Sequence, residues 1–234
     1  MTGGTAVIKA VIFDMFETLV TLFEGRTYWG ENIAEDVGAD PAEFRKEWHA
    51  IEKDRSTGIY SIEQGLEVVL KKLGLYSSGL VELAAFKRRA ALSDTFSNIP
   101  EETFGLLEEL KNRGLKVGII TNTFSDERDF IRRSRLMNYI DVAMISYEQG
   151  ICKPEIELYM RSAASLGVSP DECLFVGDGG SRELYAAREA GMHPLQCTWF
   201  HERAYEPHIP CPLLDEFDHA DTQKEVTEYI DEMI

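Results

Sequence analysis

Short apolar segments that alternate with amphipathic stretches place the strongest constraint on how this chain folds. Apolar, often β-branched segments of this length are typical of strands buried in a parallel sheet, and they occupy residues 6–13, 116–120, 142–146 and 173–176, with a fifth candidate at 194–199. Amphipathic stretches lie between them and predict helices over residues 101–113, 126–137, 154–166 and 181–190. This alternation predicts an α/β fold with a doubly wound parallel sheet and right-handed crossovers.

Residues 21–96 interrupt the alternation. Their apolar residues recur at helical spacing, as Trp29, Ile33 and Val37 do, and no strand pattern lies among them. A βα crossover needs about 30 residues, whereas this stretch has about 75. We therefore predict an inserted α-helical cap domain over residues 21–96 and a core domain formed by residues 1–20 and 97–234. After Trp199 the sequence predicts a loop and then one acidic helix.

The charge balance narrows the class of partner. The chain has 24 basic and 41 acidic residues, which gives a formal net charge of −17. Such a surface repels nucleic-acid phosphates and anionic lipids, so we expect no nucleic-acid or membrane partner. A small anionic substrate therefore needs a locally positive site, and no sequence pattern points to a particular oligomeric state.

The remaining composition is that of a cytoplasmic protein. The four cysteines form no CxxC pair, which is typical of reduced thiols. The N-terminus lacks the basic start and apolar run of a signal peptide, and no segment approaches about 20 uncharged apolar residues, the length that spans a bilayer.

Polar residues suited to phosphate chemistry follow four of the predicted strands. Asp14 ends the first, Thr121 and Asn122 end the second, the third leads to Lys153, and Asp178 ends the fourth. Ligands of open α/β sheets bind beyond the carboxyl ends of the strands. We therefore expect these side chains to lie close together at one edge of the sheet.

In these four segments the chain resembles the haloacid dehalogenase-like hydrolases. Residues 10–19 resemble the first motif of that family, residues 119–122 the second, Lys153-Pro154 the third and residues 176–183 the fourth. With the helical insertion, the resemblance covers nearly the whole chain. One motif alone is weak evidence, but all four occur in order, each after a predicted strand. The resemblance implies a Rossmann-like core and hydrolase activity.

The resemblance also implies roles for individual residues. Asp14 is the implied nucleophile. Mg²⁺ prefers oxygen ligands, which Asp14 and Asp178 supply, and the family adds the backbone carbonyl of Phe16. Glu183 is a fourth candidate for the metal site, although aspartate is commoner there. The catalytic residues expected to bind the transferred group are Thr121, Asn122 and Lys153.

Phe16 departs from the pattern of the family's phosphatases, which usually carry a general acid/base aspartate two residues after the nucleophile. General acid catalysis contributes roughly 10²–10⁴-fold to rate, so an alkyl phosphate needs another proton donor here. An aromatic residue at this position resembles the family's 2-haloacid dehalogenases, whose halide leaves without a proton. Those enzymes usually lack an acid at the position of Asp178, so Asp178 favours Mg²⁺ and a phosphate.

Three hypotheses follow. The first is a magnesium-dependent phosphatase that acts on a small phosphorylated metabolite through an aspartyl-phosphate on Asp14. The second is a 2-haloacid dehalogenase in which Asp14 attacks carbon. The third is a catalytically weakened protein that binds a phosphorylated ligand. In each case Arg55 is a cap residue expected to contact an anionic substrate.

Overall fold

The computed structural model describes residues 7–205, 207, 208 and 210–233. Within these ranges, six parallel strands form one sheet in the order β3-β2-β1-β4-β5-β6. The strands are β1 (Ala10–Phe13), β2 (Lys116–Thr121), β3 (Val142–Ile145), β4 (Cys173–Gly177), β5 (His193–Cys197) and β6 (Asp218–Ala220). The predicted doubly wound α/β fold is confirmed.

Strand β1 lies at the centre of the sheet, between β2 and β4. Phe13 is in register with Ile119 on one side and with Val176 on the other. Because the three strands run in the same direction, their carboxyl ends reach the same edge. This register brings the residues after Phe13, Ile119 and Val176 together.

Helices cover both faces of the sheet, because alternate residues of a strand point to opposite sides. Val11 and Phe13 belong to one hydrophobic cluster, whereas Ala10 and Ile12 belong to another. The first cluster lies under α6 (Glu101–Asn112), α7 (Ser125–Arg133) and α11 (Gln223–Glu232), and the second under α9 (Ile156–Leu166) and α10 (Glu183–Glu189). A short helix α8 (Ser146–Gln149) follows β3.

Five helices occupy residues 21–96 and the residue beyond, and every residue of that segment is described. They are α1 (Gly30–Val37), α2 (Pro41–Ala50), α3 (Glu52–Ser56), α4 (Ile62–Lys72) and α5 (Ser78–Ser97). Ile33, Phe44 and Leu66 are fully buried in a hydrophobic cluster that these helices form by themselves. A separate cluster supports the proposed division into a cap of residues 21–96 and a core of residues 1–20 and 97–234. Across the described residues, no helix is both long and apolar enough to cross a bilayer.

Some strands and helices begin or end at other residues than the sequence predicted, because the local sequence signal is weak or the backbone is unusual there. Strand β6 was missed because it has three residues and only Ala220 is buried. The helix predicted over 126–137 ends at Arg133, since Ser134 is extended and its Oγ accepts a hydrogen bond from the Leu136 N–H at the start of a 3₁₀ turn. The strand predicted from residue 6 begins at Ala10, and residue 6 lies outside the described residues.

Two motif segments also differ from prediction. The helix predicted over 181–190 begins at Glu183, because Ser181 and Arg182 have positive φ angles of 52° and 56°. The helix predicted from residue 154 begins at Ile156.

A buried group of charges joins the cap to the core. Arg88 of α5 donates from Nε to Asp126 Oδ2 at 2.8 Å and from Nη2 to Glu127 Oε1 at 2.9 Å. Nearby, the Ile62 N–H donates to Ser125 Oγ at 2.8 Å. All three core partners lie in the first turn of α7, just after the carboxyl end of β2. These contacts place the cap above the edge of the sheet where the strands end.

We expect Arg88→Met to lower the free energy of unfolding by about 3–5 kcal/mol, because it leaves two buried carboxylates without their cation. The matched control is Arg89→Met. Arg89 lies on the same helix as Arg88 and forms an exposed ion pair with Glu63, and its replacement is expected to cost under about 1 kcal/mol. Denaturant unfolding of both variants measures the difference. Equal losses would contradict a structural role for the buried group.

Candidate active site

Asp14 lies at the centre of the polar edge of the sheet. It directly follows β1, is 6% exposed, and its backbone N–H donates to the Val176 carbonyl at 2.9 Å. This bond continues the pairing of β1 with β4 by one residue. The side chain is therefore held where β1, β2 and β4 end.

Lys153 reaches the same point from the loop after α8. Its Nζ donates to Asp14 Oδ1 at 2.6 Å and to Glu183 Oε2 at 2.5 Å. The Asn122 side chain fixes the Lys153 backbone, since Oδ1 accepts from the Lys153 N–H at 2.7 Å and Nδ2 donates to the Lys153 carbonyl at 3.2 Å. Asn122 thus positions the lysine.

The loop after β4 supplies two further carboxylates. Asp178 Oδ1 accepts from the Gly180 N–H at 2.9 Å, and Glu183 Oε1 accepts from the Gly179 N–H at 3.0 Å. Gly179 has a φ of 101°, a conformation that residues with a side chain rarely adopt. The turn that this glycine allows brings Glu183 back toward Asp178. Asp14, Asp178 and Glu183 each offer an oxygen, and these three atoms lie within 4.8 Å of one another.

The charges in this group do not balance. Three carboxylates face one ammonium, so the group has a net charge of −2 when all four side chains are ionised. Burial and the neighbouring Asp14 raise the pKa of Glu183 well above its usual range. Burial also raises the pKa of Asp14, which Lys153 offsets only in part. Burial alone would lower the pKa of Lys153, but Asp14 and Glu183 outweigh it and raise that pKa.

The donor set fits a small divalent cation. All three side chains present carboxylate oxygens, the ligands that Mg²⁺ prefers, and two positive charges would neutralise the group. Both oxygens of Glu183 already accept hydrogen bonds, from Lys153 and from the Gly179 N–H. These two bonds hold Glu183 beside Asp14 and Asp178.

Thr121 and Phe16 flank the group. Thr121 is the last residue of β2 and fully buried, and its hydroxyl makes one long hydrogen bond of 3.4 Å, to the Asn122 carbonyl. The Phe16 ring packs edge-to-face against Phe96 at the end of α5, with 6.4 Å between ring centroids. The side chain at the position of the family's usual acid therefore contacts the cap.

Arg55, the cap residue that the sequence predicted to contact an anionic substrate, is buried between cap and core. It is 2% exposed, and its guanidinium lies between Trp48 of the cap, 3.7 Å from the ring centroid, and Phe124 of the core, at 4.0 Å. Nη2 donates to the Trp48 carbonyl at 2.9 Å, whereas Nε and Nη1 are buried without a hydrogen-bond partner among the described residues. Burial, reinforced by nearby Arg88, lowers the pKa of Arg55 to about 10.

Two adjoining cavities lie between cap and core. The first cavity, of about 490 Å³, is bounded by Asn122 and Lys153 on the core side and by residues of α2 and α3 on the cap side. The second cavity, of about 400 Å³, is lined by Trp29, Trp48, Arg55 and Phe124. His49 and Glu52 line both, so together the cavities form a cleft from Lys153 to the aromatic residues of the cap.

Comparison with known proteins identifies the family. The sequence model of the haloacid dehalogenase-like hydrolases matches residues 8–191, most of the chain. The chain belongs to the haloacid dehalogenase-like hydrolase family. It is therefore an enzyme of the hydrolase class, as the sequence predicted.

Curated relatives of this haloacid dehalogenase-like hydrolase share more than a quarter of the aligned residues. The rhythmically expressed gene 2 protein of Drosophila melanogaster is 28% identical over 162 residues, which are 68% of this chain and 60% of the fly protein. A phosphatase of Mycobacterium tuberculosis is 29% identical over 192 residues, covering 79% of this chain and 85% of that enzyme. The chain thus spans less than two thirds of the first relative and most of the second.

Solved structures share the fold. A 2-haloacid dehalogenase from Pseudomonas syringae superimposes with a TM-score of 0.68 at 21% identity, over 97% of this chain and all of that one. A family enzyme from Bacteroides thetaiotaomicron, solved with magnesium and inorganic phosphate, has a TM-score of 0.58 at 19% identity, over 82% of this chain and 94% of that one. Both likenesses concern the fold.

Two residues of this haloacid dehalogenase-like hydrolase lie at the site without a signal in the sequence. Gln196 of β5 is fully buried and donates to the Asp178 carbonyl at 2.8 Å, while its Oε1 accepts from the Leu214 N–H at 2.8 Å. Glu17 has a φ of 57° and accepts from the Thr21 hydroxyl and the Leu22 N–H where the chain enters the cap. Burial raises the pKa of Glu17 to about 7.

We expect Gly177→Ala to lower the free energy of unfolding by about 1–3 kcal/mol, because the added Cβ would overlap the Glu183 carboxylate. Gly105→Ala is the control. It lies on an exposed part of α6 with no atom within 4 Å of the added Cβ, and it should stabilise the helix by about 0.5–1 kcal/mol. Denaturant unfolding measures both, and a neutral Gly177→Ala would show that Glu183 is not held where the structure has it.

Proposed function

We propose that the protein is a magnesium-dependent phosphatase that acts on a small phosphorylated metabolite through an aspartyl-phosphate on Asp14. One observation carries the proposal: the Asp14 carboxylate is paired with Lys153 in a group of three carboxylates, of which Asp14 and Glu183 are buried and Asp178 is half-buried. The phosphatase activity of the Mycobacterium relative, which aligns over 85% of its length, supports it. So do the magnesium and phosphate bound by the Bacteroides enzyme of the same fold.

In this reaction Asp14 attacks phosphorus and the bond to the leaving oxygen breaks. Water then attacks the aspartyl-phosphate, which releases phosphate and restores the carboxylate. Lys153 and the Thr121 hydroxyl are positioned to hold the phosphoryl oxygens, and Asn122 holds the Lys153 backbone. These fixed donors stabilise the negative charge on the transferred phosphoryl group. Such electrostatic stabilisation is the main source of catalysis in phosphoryl transfer.

We assign the metal site to Asp14, Asp178 and the Phe16 carbonyl, with Glu183 beside them. When bound there, Mg²⁺ neutralises the excess negative charge and polarises the phosphoryl oxygens. The chain's own contribution is to hold these oxygens together in a buried position, through the Gly179 and Gly180 N–H groups and Lys153.

A dehalogenase is the second candidate, and Phe16 is the observation that favours it. An apolar ring carries no proton for a leaving group, and halide needs none. Asp178 and Glu183, however, add two carboxylates beside Asp14, which a displacement at carbon by a carboxylate does not require. The phosphatase therefore explains more of the site.

We further propose that Arg55 binds an acidic group on the leaving part of the substrate. Trp48 and Phe124 cover both faces of its guanidinium, so only acceptors near its plane can reach the two buried N–H-bearing nitrogens that lack partners among the described residues. A carboxylate or a second phosphate has acceptors of this kind and a complementary charge.

We expect Asp14→Asn to lower kcat for p-nitrophenyl phosphate by at least about 10³-fold, because it removes the nucleophile. Asp171→Asn, in an exposed 3₁₀ turn, is the matched control and should retain wild-type activity. Wild-type turnover should also stop in EDTA and return with Mg²⁺. An active Asp14→Asn enzyme would refute the phosphatase, and halide release from 2-chloropropionate that EDTA leaves unchanged would select the dehalogenase.

We expect Arg55→Lys to raise KM for 3-phosphoglycerate at least about tenfold, because a charge-assisted hydrogen bond to the carboxylate is lost or misplaced. KM for glycerol 3-phosphate, which lacks the carboxylate, should change much less. Arg45→Lys is the control, since Arg45 lines the second cavity but is exposed and paired with Glu31. An equal change for both substrates would show that Arg55 has only a structural role.

A further inference from the structure

We infer that His49 of the cap, held by Glu52, is the proton donor for the leaving group. The inference rests on the proposed phosphatase and fills the gap that Phe16 leaves in it. An alkyl phosphate needs a proton at its leaving oxygen, and the residue two positions after Asp14 cannot supply one.

His49 and Glu52 form a pair at a break between two helices. His49 lies in the last turn of α2 and Glu52 is the first residue of α3, with Ile51 in a non-helical conformation between them. The His49 Nδ1 lies 2.6 Å from Glu52 Oε2. A carboxylate at Nδ1 orients the ring and leaves Nε2 available to a ligand.

The position of the pair is the stronger argument. Among the described residues, His49 and Glu52 are the only two that line both the first cavity and the second cavity. A substrate whose phosphoryl group lies at Lys153 and whose acidic group lies at Arg55 must cross from one cavity to the other. Its leaving oxygen is bonded to phosphorus and therefore lies at the Lys153 end of this path, in the cavity that His49 also lines.

Other titratable groups near this junction are less suitable. Lys153 already donates to Asp14 and Glu183. Both carboxyl oxygens of Glu17 already accept hydrogen bonds, from Thr21 and Leu22, and Glu17 lines neither cavity. Burial raises the pKa of Cys152, which makes its thiol a poorer acid. The His49 side chain is 80% exposed, so it can exchange its proton with water between turnovers.

The proton balance of the reaction closes with this assignment. As Asp14 attacks phosphorus and the P–O bond to the leaving group breaks, the leaving oxygen takes the proton from His49 Nε2. The neutral ring then accepts a proton from the water that attacks the aspartyl-phosphate. Breakage of the P–O bond to Asp14 releases phosphate, and His49 is again protonated.

The test compares two leaving groups. The alkoxide of glycerol 3-phosphate needs a proton, whereas p-nitrophenolate leaves without one. We expect His49→Gln to lower kcat/KM for glycerol 3-phosphate by about 10²–10³-fold and for p-nitrophenyl phosphate by less than about threefold. The ratio kcat/KM reports only the steps up to and including formation of the aspartyl-phosphate. The later role of His49 as a base therefore does not affect it. Glu52→Gln should show the same selectivity with a smaller loss.

His219→Gln, on the exposed edge strand β6, is the control and should leave both substrates unaffected. Because His49 is exposed, His49→Gln should also leave the thermal unfolding midpoint unchanged. Equal losses for both esters would assign His49 to binding, and no loss for either would place the donor elsewhere; each result overturns the inference. Failure of the proposed phosphatase function would give a different result. The wild type would then hydrolyse neither ester, or Asp14→Asn would remain active, and the inference about His49 would be refuted as well.

Discussion

A lysine ammonium buried among three carboxylates is the interaction on which the site depends. Lys153 pairs with Asp14 and Glu183 at hydrogen-bond distance, and the group retains an excess negative charge. Buried like charges repel strongly unless a cation lies between them. The parallel register of β1, β2 and β4 supplies the positions, and backbone N–H groups of the loop after β4 supply the remaining stabilisation. The fold thus collects an excess of negative charge that suits a cation.

The cap is placed relative to this group by two kinds of contact. On one side, Arg88 bonds to Asp126 and Glu127 in the first turn of the helix that follows β2. On the other, the Phe16 ring, two residues after Asp14, packs against Phe96. Both contacts begin within a few residues of a family motif. The geometry of the cleft is therefore set by the same segments that carry those motifs.

The sequence was sufficient for the sheet and for the convergence of Asp14, Lys153 and Asp178, because buried parallel strands and their terminal residues follow a regular pattern. It was insufficient where the pattern is short or the contact is distant. The three residues of β6, of which two are polar and exposed, carry no strand signal, and the positive φ angles of Ser181 and Arg182 moved the start of a helix. The sequence of β5 does not reveal the hydrogen bond from Gln196 to the Asp178 carbonyl. The burial of Arg55 depends on the packing of Trp48 and Phe124 on its two faces, which the sequence does not show.

The aromatic cover of Arg55 has a consequence for how cap and core work together. One ring belongs to the inserted helices and the other follows directly after the Thr121-Asn122 segment, so the stacked arrangement exists only while both parts are in contact. A hinge motion that parted Trp48 from Phe124 would return the guanidinium to water and remove its aromatic cover. For the role proposed for Arg55, discrimination among ligands and closure of the cleft would then be a single event, and a molecule that failed to satisfy this arginine would also fail to keep the cleft shut.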